Sequence, residues 1–213
     1  MPGPIQRGRA FVERILSDGV ETVNTESISI AEDVETIVPG DDLADTVNDV
    51  NNKTFFVRPG TYTLSERLEL GDGVKLIGVG AAEQTVIEAP DGFGANLAST
   101  FGQDSLIANL EFNHFDPDGV SVIRDFSREI DRTRIVNCRF FASGSTDAEY
   151  YIRLSSSNAS IRGCHFGPDD DVTNNTVRQG GEENTYVGCT NFVSFDDRGT
   201  NNVTAGNTPL DTS

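Results

Sequence analysis

Three arginines, each directly after an isoleucine or a valine, are the side chains best suited to binding chemistry in this sequence: Arg124, Arg153 and Arg178. On neighbouring strands, their outward guanidinium groups would repel one another unless anions lay against them. One interpretation is a ladder of ion pairs with nearby acidic residues, namely Glu88, Asp125, Asp147 and Glu149. The other is a track that binds an anion or an acidic glycan, with an exposed Tyr151 as a stacking platform.

Clustered aspartates are the next candidates for chemistry. Asp169, Asp170 and Asp171 are consecutive, and Asp196 is followed by Asp197. Paired carboxylates can hydrolyse glycosidic bonds, and carboxylate oxygens are also ligands for calcium. We expect solvated charges here, with the three consecutive aspartates as weak candidates for a structural cation site. No catalytic residue is assigned, and no other cofactor is expected.

The three cysteines, Cys138, Cys164 and Cys189, occupy one slot of a repeated pattern. Spacings of 26 and 25 residues lack the close pairs typical of zinc sites. Neighbouring thiols in a stacked column could form a disulfide, but three thiols leave one unpaired. We therefore expect buried, reduced thiols that act as small hydrophobic groups.

The repeated pattern predicts the elements that position these residues. Its copies are LIGVGA from Leu76, IANLEF from Ile107, IVNCRF from Ile135, IRGCHF from Ile161 and YVGCTN from Tyr186. Start-to-start spacings of 31, 28, 26 and 25 residues are typical of a solenoid built from stacked coils.

The third position of every copy is glycine or asparagine, which tolerate the left-handed backbone region. It therefore predicts a column of one-residue corners with positive φ: Gly78, Asn109, Asn137, Gly163 and Gly188. A second inner column is predicted at Ile87, Ile123, Ile152, Val177 and Val203. Each member of that column is followed by an outward residue, which gives the series Glu88, Arg124, Arg153, Arg178 and Thr204.

The start of the repeats carries a resemblance to a known family. DDLADTVNDV, residues 41–50, predicts a short helix with Leu43, Val47 and Val50 on one face. KTFFVRPGTYTL from Lys53 and SERLELGDGVKLIGVG from Ser65 then predict paired strands. This order resembles the right-handed parallel β-helix of the pectin-lyase-like superfamily. That fold carries lyases, hydrolases, esterases, epimerases and inert viral spikes, so the resemblance implies the fold more than the function.

We therefore predict an all-β chain: a right-handed, single-stranded parallel β-helix of about five to six coils with a short N-terminal capping helix. Residues 40–205 would form the β-helix, residues 206–213 a polar tail, and residues 1–39 an anchoring and assembly segment. The first fourteen residues carry Arg7, Arg9 and Arg14 against a single Glu13. This basic patch on an acidic chain is expected to bind another protein, although a floppy leader is the alternative.

The net charge of the chain limits the classes of function and partner that fit it. The net charge is −18, from 34 acidic and 16 basic residues, and only Lys53 and Lys75 are lysines. Such a composition resembles proteins of extreme halophiles, in which concentrated salt screens carboxylate repulsion, although an ordinary acidic secreted protein is the alternative. Nucleic acid is an unlikely partner because phosphate binding needs a basic face. Neither a secretory signal nor a membrane-spanning run is recognised.

The function expected first is a structural virion surface protein, such as a capsid decoration, turret or spike, with adhesion to host glycan. It would be made in the host cytoplasm and would form a homo-oligomer, with a trimer as the first guess, on other virion proteins. The pectate-lyase motif R-x-P-x-x-R and the polygalacturonase motifs G-H-G and R-I-K are absent from the sequence. A polysaccharide lyase or glycoside hydrolase remains the alternative, and a cellular surface or scaffold protein is the second.

Overall fold

The computed structural model of the chain describes residues 33–90, 92–115, 117, 120–125, 132–143, 148–167, 177–192 and 195–207. These residues form an all-β parallel solenoid whose chain visits three sheets in turn. The predicted parallel β-helix is thereby confirmed, and neighbouring strands within each sheet pair in parallel.

The described strands are short and follow one another at close intervals. In chain order they are β1 (Val34–Ile37), β2 (Thr54–Val57), β3 (Gly60–Thr63), β4 (Leu68–Leu70), β5 (Lys75–Gly78), β6 (Thr85–Ala89), β7 (Ala98–Phe101), β8 (Leu106–Ala108), β9 (Glu111–Phe115), β10 (Ile123–Arg124), β11 (Arg134–Val136), β12 (Arg139–Ser143), β13 (Ile152–Leu154), β14 (Ser160–Arg162), β15 (His165–Phe166), β16 (Val177–Gln179), β17 (Thr185–Val187), β18 (Phe195–Asp197) and β19 (Val203–Ala205).

Three sheets collect these strands. Sheet 1 has the order β1-β2-β5-β8-β11-β14-β17-β19, sheet 2 has β3-β6-β9-β12-β15, and sheet 3 has β4-β7-β10-β13-β16-β18. Sheet 1 therefore begins with β1, before the predicted start of the β-helix at residue 40. The first residues of the five sequence repeats lie in register along sheet 1, from Leu76 to Tyr186, as the pattern predicts.

The interior is built from columns of like side chains. Phe112, Phe140 and Phe166 stack with ring centroids 5.5 Å apart at each step. The three cysteines are fully buried and free, so the predicted column of reduced thiols is confirmed. Burial raises the pKa of Cys138 to about 12, which keeps this thiol protonated and unreactive.

The predicted corners form, with one exception. Asn109, Asn137, Gly163 and Gly188 all have positive φ, between 51° and 64°. Gly78 does not, because it is the last residue of β5, and a Cβ there would lie 2.0 Å from the carbonyl oxygen of Asn109. Glycine is needed at that position for close backbone approach, not for a left-handed turn.

A second column of positive φ was missed from the sequence. It lies two residues before each sheet 1 strand from β2 onward, at Asn52, Gly73, Asp104, Arg132, Asn158, Glu183 and Asn201. From β8 onward, the chain therefore enters and leaves each strand of sheet 1 through a left-handed residue.

The predicted second inner column is partly wrong. Ile123, Ile152 and Val177 do align in sheet 3. Ile87 instead lies on β6 in sheet 2, and Val203 lies on β19 in sheet 1. The true neighbours in sheet 3 are Ala98 on one side and Phe195 on the other. Both errors arise because loops of different length separate the strands.

A short helix, α1 (Leu43–Val47), packs against β4 near the N-terminal end of the solenoid. Asp42 caps it by accepting a hydrogen bond from the backbone N–H of Asp45. The helix buries Leu43, Ala44 and Val47, whereas Val50 lies beyond its end and is half-buried. At the opposite end, all three residues of β19 are exposed.

Candidate functional site

Sheet 3 places the three predicted arginines side by side. Arg124 on β10, Arg153 on β13 and Arg178 on β16 are direct neighbours in the strand register. Their preceding residues, Ile123, Ile152 and Val177, point inward and are fully buried. Strand alternation therefore turns the guanidinium groups outward. We call the outward surface formed by these three arginines and Arg198 the arginine face.

Two carboxylates form ion pairs with three of these arginines. Arg153 donates from Nη1 to both carboxylate oxygens of Glu149, at 3.0 and 2.8 Å. Asp196, the register neighbour of Arg178 on β18, lies 3.8 Å from its Nε and accepts from Nε of Arg198 at 2.8 Å. A guanidinium group has five N–H donors, so donors outnumber the acceptors that these two carboxylates supply.

Several predicted partners of the ladder lie elsewhere. Glu88 is on β6 in sheet 2, where it accepts from the hydroxyl of Thr63, so it is not the neighbour of Arg124. Asp147 lies outside the described residues. Glu149 is the predicted acid that does pair. Asp196 was not predicted as a partner, because the outward series placed Thr204 at the position after Arg178 that Asp196 occupies.

The predicted role of Tyr151 is wrong. Its side chain is fully buried and packs against Phe166, with ring centroids 6.0 Å apart, so it offers no exposed platform. Its neighbour Tyr150 lies under the arginine face instead. The guanidinium carbons of Arg153 and Arg178 lie 5.9 and 5.8 Å from the centroid of that ring. Tyr150 thereby supports both cations through cation–π contacts.

A small pocket opens on the arginine face. Its volume is about 100 Å³, and its lining residues are Arg153, Leu154, Ser155, Arg178, Gly180 and Arg198. Pockets for drug-sized ligands are several times larger. The size and the three guanidinium groups fit a single anionic group, such as a carboxylate or a sulfate.

Asp125 lies beneath the arginine face and is almost fully buried. It accepts hydrogen bonds from the backbone N–H groups of Ser155, at 2.7 Å, and Ser156, at 3.2 Å. Burial raises the pKa of Asp125 to about 6, although these hydrogen bonds and Arg124 act in the opposite direction. Asp125 therefore connects the coil of β10 to the turn that follows β13. The carboxyl group that makes this connection can gain a proton at a pH near 6.

The remaining predicted site residues cannot be placed on this surface. Asp169, Asp170 and Asp171, the weak metal candidates, lie outside the described residues, as do Arg7, Arg9 and Arg14 of the assembly segment. Among the residues that are described, no group of three or more His, Cys, Asp or Glu side chains could hold a metal ion. No helix in the described part of the chain is long and apolar enough to cross a membrane.

Comparisons of the chain with protein-family models, with curated proteins and with solved structures found no match. Function is therefore inferred from the geometry of sheet 3.

Proposed function

We propose that this chain is a structural, adhesive β-solenoid that binds an anionic glycan along the arginine face. The observation that supports this proposal is the alignment of Arg124, Arg153 and Arg178 on successive strands. Two of them, Arg153 and Arg178, line a pocket of about 100 Å³ together with Arg198.

The chemistry of the face favours an anionic ligand over a neutral one. Arginine can bind a carboxylate or sulfate through two parallel hydrogen bonds, and such charge-assisted bonds are stronger than neutral ones. Glu149 and Asp196 occupy part of this capacity, and the Tyr150 ring holds two of the cations in place. The ligand therefore competes with internal ion pairs, which gives weak binding at each site and makes repeated contacts along a polymer important.

The setting that we propose is the surface of an assembled particle, such as the decoration, turret or spike of a virion, with the chain as a homo-oligomer. The parallel stack and the acidic composition support this setting, and the superfamily that the sequence resembles includes viral spikes. Arg7, Arg9 and Arg14 would provide the contact with other particle proteins. Native mass spectrometry would report the expected trimer.

The glycan proposal is tested by calorimetric titration with a uronate polymer, polygalacturonate, and with neutral dextran. Polygalacturonate should bind and dextran should not. Arg178→Ala should weaken binding by about tenfold, because it removes a charge-assisted contact. The matched control is Arg162→Ala, which removes an exposed arginine from sheet 1.

Two results would overturn the proposal. The first is an equal loss of binding in Arg178→Ala and Arg162→Ala, which would show that binding depends on the net charge of the chain and not on the arginine face. The second is absence of binding to polygalacturonate and to a sulfated polymer such as heparin. Size-exclusion analysis of the polymer after incubation completes the test, since shortening of the chains would identify an enzyme instead of an adhesive protein.

A further inference from the structure

The pocket on the arginine face has a buried carboxylate behind its wall. Ser155 lines the pocket, and its backbone N–H donates to Oδ1 of Asp125 at 2.7 Å. The backbone N–H of the next residue, Ser156, donates to Oδ2 at 3.2 Å. Asp125 is only 1% exposed, so solvent screens its charge weakly. A single residue, Ser155, therefore contacts both the proposed anion site and a group that can bind a proton.

The turn that contains Ser156 is also held from inside the solenoid. The carbonyl oxygen of Ser156 accepts hydrogen bonds from Nε2 of Gln179, at 3.0 Å, and from Nδ2 of Asn184, at 3.1 Å. The hydroxyl of Tyr186 donates to Oε1 of Gln179. None of these hydrogen bonds uses the carboxyl group of Asp125, and a protonated acid keeps acceptor capacity of its own. The turn therefore keeps its position when Asp125 gains a proton, and the effect of that proton on the pocket is electrostatic.

Asp125 shares one electrostatic environment with the arginine face. Arg124 precedes it on β10 and interacts both with its charge and with those of Arg153 and Arg178. On the inner side, burial first and the charge of Asp125 second raise the pKa of Tyr186, so that phenol stays neutral. Among the described residues, the charged and titratable groups on the elements around Asp125 are Arg124, Glu149, Arg153, Arg178, Tyr186, Asp196, Asp197 and Arg198.

The sign of the coupling follows from these charges. An ionised Asp125 cancels part of the positive potential of the arginines and repels an anion in the pocket, whereas a protonated Asp125 does neither. An anion therefore binds the protonated form more tightly. Because linked binding is reciprocal, the bound anion makes Asp125 harder to ionise. The pKa of Asp125, about 6 without the anion, places this exchange close to neutral pH.

We propose that protonation of Asp125 strengthens the binding of anions in the pocket of the arginine face, so that adhesion to an anionic glycan tightens as the medium becomes acidic. This inference rests on the proposed function of the arginine face and adds its regulation. Couplings between two binding sites typically change affinity by about five- to 150-fold. Solvent at the open pocket weakens the repulsion, so we expect the lower end of this range, about fivefold.

Calorimetric titration of the full chain with heparin at pH 5.0 and 7.5 tests the coupling, because the sulfate groups of heparin stay charged at both values. The natural chain should bind about fivefold more tightly at pH 5.0. Asp125→Asn, which is neutral at both pH values, should retain less than about a twofold difference. The matched control is Glu88→Gln, which removes one carboxylate from sheet 2 and should keep the pH dependence of the natural chain.

The reciprocal effect can be measured on the natural chain, without any substitution. The amide resonances of Ser155 and Ser156 report the titration of Asp125, because both N–H groups donate to its carboxylate. Replacing sodium chloride by sodium sulfate at equal ionic strength should raise the midpoint of that titration by about 0.5 pH unit.

The outcomes separate this inference from the proposed function. A midpoint that sulfate raises, with no binding of heparin at either pH, would support the coupling to anions and overturn the glycan function alone. The inference itself would be overturned by a midpoint that neither sulfate nor heparin raises. It would also be overturned if Asp125→Asn kept the full pH dependence of heparin binding, since other groups would then be responsible.

Discussion

Asp125 is the residue whose environment departs most from that of an ordinary acid at the protein surface. Its carboxylate accepts two backbone hydrogen bonds, yet burial raises its pKa to about 6. An acid with a raised pKa in the folded state binds a proton more tightly there than in the unfolded chain. Its contribution to stability is therefore greatest below about pH 4 and is lost as the pH rises through about 6.

This sign gives a prediction for Asp125→Asn, which mimics the protonated acid. The variant should be about as stable as the natural chain at pH 4 and more stable than it at pH 7, because the natural chain loses the contribution of the protonated acid over that range. The shift of about two pKa units corresponds to a change on the order of 3 kcal/mol. Free energies of unfolding in urea at both pH values measure it. A difference that does not vary with pH would show that Asp125 stays ionised throughout.

At the same scale, Tyr150 and Tyr151 show where prediction from the sequence ends. Strand alternation assigned the faces of Ile152 and Arg153 correctly because both lie on β13. Tyr151 precedes the strand, in a turn where alternation no longer applies, and its ring points into the core. The side chain under the arginines was therefore assigned one residue away from its true position.

At the scale of elements, backbone geometry was easier to predict than side-chain columns. A left-handed corner restricts the residue type, so the Gly/Asn column could be recognised across loops of different length. Inner positions accept any apolar residue, so Ile87 and Val203 fitted a column to which they do not belong. The second left-handed column was not predicted because two of its positions hold Arg132 and Glu183, residue types that do not indicate positive φ. Arg132 holds a two-fold contact with Asp104, its neighbour in that column.

The corner at Gly163 gives the prediction at this scale. Its φ is +59°, and a Cβ there would lie 2.5 Å from Oδ1 of Asn137, the corner of the preceding coil. Gly163→Val should therefore reduce the free energy of unfolding by about 1–3 kcal/mol. Gly180→Val is the control, because its φ lies outside the left-handed region and its nearest neighbours are 3.7 Å away. Equal melting temperatures of the two variants would contradict a strained corner.

For the whole molecule, the net charge determines how thermal stability is expected to depend on salt. A net charge of −18 on 213 residues implies strong mutual repulsion among carboxylates when salt is low. The melting temperature should rise by at least about 5 °C between 0.1 and 3 M KCl, with most of the rise below about 1 M, where the screening length has fallen to about 3 Å. A flat profile would contradict the halophile interpretation, and a rise confined to higher salt would indicate salting-out instead.

The strand register of sheet 3 also sets a fixed spacing between the arginines. Hydrogen bonds between β10, β13 and β16 fix the separation of the arginine-bearing strands at about 4.8 Å per step, and no side-chain motion changes the positions of the backbone anchors. A polymer whose charges recur at a matching or commensurate interval can contact successive arginines without bending. One with a different interval loses alignment after one or two contacts. Selectivity among anionic chains would then depend on the distance between their charges more than on the identity of the charged group.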